Sequence, residues 1–114
     1  MGPVKQSVIL RVVLVGVLGG LLALAAWPNP YQSHPHSITL SWQPPAPGES
    51  VTGYNIYRST KPGGPYGIIA SRVPKPTYVD RNVESRTTYY YVVTTVDHSG
   101  RESKYSAEVR ATVP

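Results

Sequence analysis

The sequence predicts an all-β antiparallel sandwich, and three observations carry that prediction. Short runs of alternating apolar character recur from Ser37 onward: SITLSWQ, GYNIYRS, PYGIIAS, TYVD, TTYYYVVTTVD and AEVRATV. Clusters of Pro, Gly and Ser separate them, so strands begin about every 8–12 residues, the spacing of a sandwich rather than of strand–helix–strand units. The chain has 114 residues and no cysteine, so a single small core must hold the fold by packing, without disulfides or thiolate-bound metal.

Residues 1–27 precede the strands and have a different character. Lys5 and Arg11 come before Val12–Trp27, a stretch with no charged side chain. As a helix it would span about 24 Å, or about 30 Å from Val8 with Arg11 snorkelling to the headgroups. The segment reads as one apolar N-terminal helix contacting the membrane through residues 8–27. It is either a single-pass signal-anchor or a signal peptide cleaved near Ala25, with Ala23-Leu24-Ala25 as the small-x-small site. Positive charge lies before the apolar run and none comes after it until Arg58, which keeps the N-terminus cytoplasmic and places the C-terminal sandwich outside the membrane. Gly16 and Gly20 form a GxxxG, one route to weak self-association.

Residues 28–36 (PNPYQSHPH) form a Pro-rich linker, stiff and extended. His34 and His36 flank Pro35 without a third ligand near them, so no metal site is expected. In the unit 37–114, Ile38, Leu40 and Trp42 alternate inward. Tyr54 and Ile56 do the same in the next strand, and Tyr89, Tyr91, Val93 and Thr95 in the long central one. Phe is absent and Tyr occurs nine times, so tyrosines and Trp42 supply the aromatic core, each phenol tip needing water or a partner. KPGGPY (61–66) and Asp97-His98-Ser99-Gly100 read as turns, because Gly supplies positive φ and Pro fixes the bend. Val109, Ala111 and Val113 alternate in the last strand.

These positions together resemble a fibronectin type III domain, an immunoglobulin-like sandwich. Trp42 stands where that family places its buried tryptophan. Val83 followed by Tyr89 resembles the tyrosine corner, in which a phenol bonds back to the backbone. The GGPY turn and the stretches YYYVVT and VDxSGxES are similar to a variant common in bacterial extracellular proteins. One departure stands out: the family's first strand should precede Ser37, where this chain has only the Pro-broken linker. The first strand is therefore expected to be short or missing: either Pro28–His36 folds back as a short irregular edge that its prolines blunt, the reading favoured here, or the edge of the Trp42 strand is open to an added strand.

Catalysis is not expected. The six acidic residues, Glu49, Asp80, Glu84, Asp97, Glu102 and Glu108, fall in no GxSxG, phosphate-loop or HExxH pattern. Asp97, His98 and Ser99 have the residue types of a triad, yet adjacent turn residues cannot converge on one reacting atom. No cofactor is implied. Basic residues are scattered rather than striped, which argues against nucleic acid. Gly100-Arg101-Glu102 occupies the turn where the family's adhesion motif Arg-Gly-Asp lies, but in a different order, so Arg101 and Glu102 read as solvated turn residues.

Two roles remain. One is an exported or membrane-anchored binding or adaptor module with a protein or carbohydrate ligand. The other is a ligand-free spacer or accessory fragment of a secreted hydrolase. In the outward phase of the central strands, Tyr57 and Tyr90 are either ordinary cross-strand packing partners, the reading favoured here, or the candidate binding patch, able to stack on a sugar ring or anchor a protein contact.

The charge asymmetry makes a topological prediction. Protease added to intact cells or spheroplasts should digest the sandwich and spare residues 1–11, and protection of the sandwich in both preparations would contradict it. The N-terminal mass then separates anchor from cleaved signal, a start at Ala26 or Trp27 meaning cleavage.

Overall fold

The computed structural model describes the backbone of residues 10–16 and the whole of residues 36–114. Among the described residues seven strands are formed: β1 (Leu10–Gly16), β2 (His36–Trp42), β3 (Gly53–Ser59), β4 (Gly67–Val73), β5 (Thr77–Asp80), β6 (Thr88–Val96) and β7 (Val109–Thr112). They make two sheets, ordered β1-β2-β5 and β4-β3-β6-β7, with every pairing antiparallel. Each expected strand from Ser37 onward is present.

The core lies between the sheets and follows the expected phases. Ile38, Leu40 and Trp42 meet Tyr54, Ile56, Tyr89, Tyr91, Val93, Ala111 and Val113 in one buried cluster. Trp42 and Tyr54 join the sheets edge to face, with centroids 5.1 Å apart, a geometry favoured by the ring quadrupoles. The tyrosine corner is formed as well, the Glu84 backbone N–H donating to Tyr89 Oη at 2.9 Å.

The edge of β2 differs from expectation. Leu10–Gly16 pairs along its length, from Leu10↔Trp42 to Gly16↔His36, so a first strand is present and comes from upstream of the linker. The physical reason is twofold. An edge strand presents a row of unpaired donors and acceptors, and LRVVLVG is rich in the β-branched residues that suit a pleated strand. His36, assigned to the linker from sequence, opens β2. Residues 17–35 lie outside the described residues, and with them most of the expected helix, Gly20, the Ala23-Leu24-Ala25 site, His34 and the rest of the linker. Among the described residues no helix is long and apolar enough to cross a membrane.

At the β3–β4 pair the register shifts on either side of Ile56, and Arg72 takes a positive φ of 53°. Its N–H donates to Asn55 Oδ1 at 2.9 Å, replacing a ladder bond that the bulge removes. Gly53 fits under this kink because a Cβ there would lie 3.1 Å from the Arg72 backbone.

A buried polar network ties the two sheets together. Asp80, at the end of β5, is 2% exposed. Tyr91 Oη donates to its Oδ2 at 2.6 Å, Arg58 Nη1 to the same oxygen at 2.8 Å, and the Asn82 N–H to Oδ1 at 3.1 Å. Arg58 also donates to the Asn82 carbonyl and lies 5.1 Å from the centroid of the Tyr89 ring. Burial alone would pull the Arg58 guanidinium down, yet its bonds to Asp80 hold it above its ordinary pKa. The Tyr91 phenol is pushed above the usual tyrosine range, first by burial and then by Asp80. A buried carboxylate is tolerated only when its lone pairs are filled.

Tyr91→Phe keeps the ring and removes one donor from that carboxylate. Urea unfolding should show a loss of about 1–3 kcal/mol, a sizeable part of the roughly 5–15 kcal/mol available to a domain. An unchanged midpoint would mean that Asp80 does not depend on Tyr91.

Candidate functional site

The outer face of the β4-β3-β6-β7 sheet carries the candidate site, and an irregular segment builds it. After the turn at Asp97–Gly100, closed by Gly100 N–H to the Asp97 carbonyl at 3.0 Å, the chain runs back beside β6 without regular pairing. Glu102 forms a single bridge to Val96. The N–H groups of Ser103 and Ser106 donate to the carbonyls of Thr95 and Val93. In return Ser103 Oγ and Ser106 Oγ accept the N–H groups of Thr95 and Val93, at 2.8 and 2.9 Å. The two hydroxyls thus replace backbone carbonyls in the ladder. Two residues separate the serines where β6 has one between Val93 and Thr95, a bulge in all but name. The extra length throws Tyr105 outward over the sheet.

There Tyr105 stands between two other tyrosines. Its ring lies edge to face with Tyr57 at 5.2 Å and with Tyr66 at 5.3 Å, yet remains 51% exposed. Tyr57 Oη donates to Glu102 Oε2 at 2.6 Å, and Thr94 Oγ1 donates to the same oxygen. Tyr66 Oη donates to Glu108 Oε2, which also accepts the Gly63 N–H at 2.7 Å. The expected KPGGPY turn is therefore bound to the segment leading into β7. Gly63 and Gly64 adopt positive φ in it, 79° and 92°. Ile68, opposite Tyr57 across the β3–β4 pair, is 53% exposed and extends the apolar surface.

Electrostatics follow from these contacts. Burial first, and then the Glu102 carboxylate, push Tyr57 up to about 12, and the same causes with Glu108 push Tyr66 up to about 12. Glu102 is lowered, because the hydroxyls of Tyr57 and Thr94 outweigh the burial that would raise it. The Tyr57 and Tyr66 phenols therefore stay protonated at neutral pH and serve their carboxylates as donors.

Of the sequence-predicted pair, Tyr57 lies in this cluster, and its ring partner is Tyr105. Tyr90 is half-buried on the same sheet, opposite Ser59 and Arg110. Sequence reasoning missed Tyr66, Tyr105, Ile68, Glu102 and Glu108. The only signal for Tyr105 was the SxxS spacing of Ser103 and Ser106, one residue too long for a regular strand. Glu102 is exposed, as expected, and in addition accepts two hydroxyls. The expected structural residues Trp42, Tyr54, Ile56, Tyr89, Tyr91 and Val93 are all buried in the core. In the Asp97–Ser99 turn, His98 Nδ1 lies 2.7 Å from Ser50 Oγ, and Ser99 Oγ donates to Asp97. Among the described residues no group of three His, Cys, Asp or Glu could hold a metal ion.

Residues 31–112 match the fibronectin type III domain family. The chain belongs to that family. It is 46% identical over 74 residues to an amylopullulanase of Thermoanaerobacter thermohydrosulfuricus, covering 65% of this chain and 5% of that protein. It is 36% identical over 78 residues to an alpha-amylase of Niallia circulans, covering 68% of this chain and 6% of that protein. Among solved structures, a fibronectin-type-III-like protein from Clostridium thermocellum superposes with a TM-score of 0.60 at 41% identity, covering 68% of this chain and 77% of that one. The chain spans only 4–6% of the curated relatives it matches.

In this fibronectin type III domain the turn after β6 is locked by Asp97. Its carboxylate accepts the Ser99 hydroxyl, the N–H groups of Ser99 and Arg101, and Arg101 Nε. The Ser99 hydroxyl and the Arg101 N–H contribute most to holding Asp97 down at about 2. A depressed folded-state pKa gives stability that is fully present above the ordinary aspartate range and is lost as pH falls toward 2. The gap in unfolding midpoint between the native chain and Asp97→Asn should therefore shrink steadily from about pH 5 to pH 2, the unfolded-state value being about 3.9. A gap constant over that range would show that the Asp97 charge plays no part.

Proposed function

We propose that this chain is an exported, non-catalytic accessory module of carbohydrate-processing machinery, which holds a partner or polymer at the cell surface. The observation that carries this reading is the identity of its folded unit to segments within an amylopullulanase and an alpha-amylase. Function has to be argued from a site as well as from a fold, and the ring-bearing face around Tyr57 and Tyr105 supplies one. Export rests on the charge asymmetry around Val12–Trp27; an anchor, or a signal cleaved near Ala25, takes Leu10–Gly16 away from β2, so the exported module is proposed without the pairing seen there in the structure. The alternative is a ligand-free spacer, which the small share of each relative that the domain occupies favours.

Retention on surfaces separates the two. The full chain in mild detergent, mixed with granular starch, crystalline cellulose and washed bacterial envelopes, should sediment with at least one of them above an unrelated detergent-solubilised control. Recovery of all of it in the supernatant from every surface would leave the spacer reading.

A further inference from the structure

We propose that Tyr105, braced by Tyr57 and Tyr66 and flanked by Glu102 and Glu108, is a stacking platform for a neutral polysaccharide chain. The inference rests on the accessory-module reading and names its ligand class and site.

Three observations lead to it. First, the two most exposed large apolar side chains among the described residues, Ile68 at 53% and Tyr105 at 51%, flank Tyr57 on one face. Second, the exposed ring is already ordered. Tyr57 and Tyr66 hold Tyr105 on two sides, and each bracing phenol is fastened to a carboxylate. Those carboxylates are fixed in turn by Thr94 Oγ1 and the Gly63 N–H. A ring held this way loses little freedom on binding, which is the advantage of a preorganised contact. Third, the rim chemistry discriminates between occupants. Glu108 commits only Oε2, and its Oε1 makes no hydrogen bond among the described residues. An apolar protein surface laid over Tyr105 would desolvate that carboxylate without repaying it. A sugar presents C–H bonds to the ring and hydroxyl donors to the carboxylate at once, matching both halves of the site. A polyuronate would bring like charge to Glu102 and Glu108, so the polymer is a neutral one.

The test is affinity electrophoresis of the full chain in mild detergent, through native gels containing soluble amylopectin, pullulan, hydroxyethylcellulose or polygalacturonate. At least one neutral polymer should retard the native chain. Tyr105→Ala should weaken that retardation tenfold or more, while Tyr105→Trp, which keeps a stacking surface, should retain it. Unfolding midpoints of both variants guard against a folding defect, and Val79→Thr, at an exposed position on β5 of the other sheet, should migrate as the native chain does. Retardation by a neutral polymer that survives Tyr105→Ala would sink this site and leave the accessory role intact. So would retardation by polygalacturonate alone, or retention only on protein-bearing envelopes. Absence of retardation and of retention everywhere would remove the accessory reading along with this inference.

Discussion

The sandwich depends on one carboxylate. Asp80 ends β5 in the three-stranded sheet, and its hydrogen-bond donors Tyr91 and Arg58 sit on β6 and β3 of the opposite sheet. Apolar packing alone would let two sheets slide over a small core. A directional network across the gap specifies how they face each other, the use for which buried polar groups are best suited. Its cost is that no member is dispensable, because a buried charge stripped of one partner retains its desolvation penalty. Tyr91 is suited to the place because its ring fills the core while its hydroxyl reaches the acid. In a chain without phenylalanine or cysteine, tyrosine does both jobs.

The outer face obeys the same logic at lower stakes. Val92 and Thr94 lie outside the core cluster yet are 2% and 1% exposed; Tyr57 is the cross-strand neighbour of Val92, and Glu102 accepts the Thr94 hydroxyl. Tyrosines fastened to acids add to the bridge at Glu102, the two serines and the Asp97–Arg101 bonds that hold the returning segment. The same arrangement presents a braced aromatic ring to solvent, so stabilising the segment and building a contact surface are one construction.

Two placements compete for the N-terminal segment, the strand that the structure shows and the membrane segment proposed above. Leu10–Gly16 is apolar enough to enter a bilayer and β-branched enough to extend along β2, where it pairs in the structure. These two placements exclude each other for the same residues, because a strand's hydrogen bonds are satisfied by its neighbour and those of a membrane segment must be satisfied within itself. Where the segment sits decides whether the edge of β2 is covered.

The sequence by itself determined the sandwich, the strand phases and the tyrosine corner. Ile38-Leu40-Trp42, Tyr54-Ile56 and Tyr89-Tyr91-Val93 could be read because the side-chain period of a strand is two and a one-residue slip would turn every core residue to solvent. Arg58 shares the phase of Tyr54 and Ile56, and only the fold showed that its charge is met there by Asp80. Tertiary structure alone decided the Tyr57–Tyr105–Tyr66 array, the pairing of Glu102 and Glu108 with phenols 42–45 residues away, and the origin of the strand beside β2. Periodicity reports which face a residue takes within its own strand. It carries nothing about which distant segment crosses that face, since loop closure adds only a slowly growing entropic cost with length and leaves many such crossings comparable.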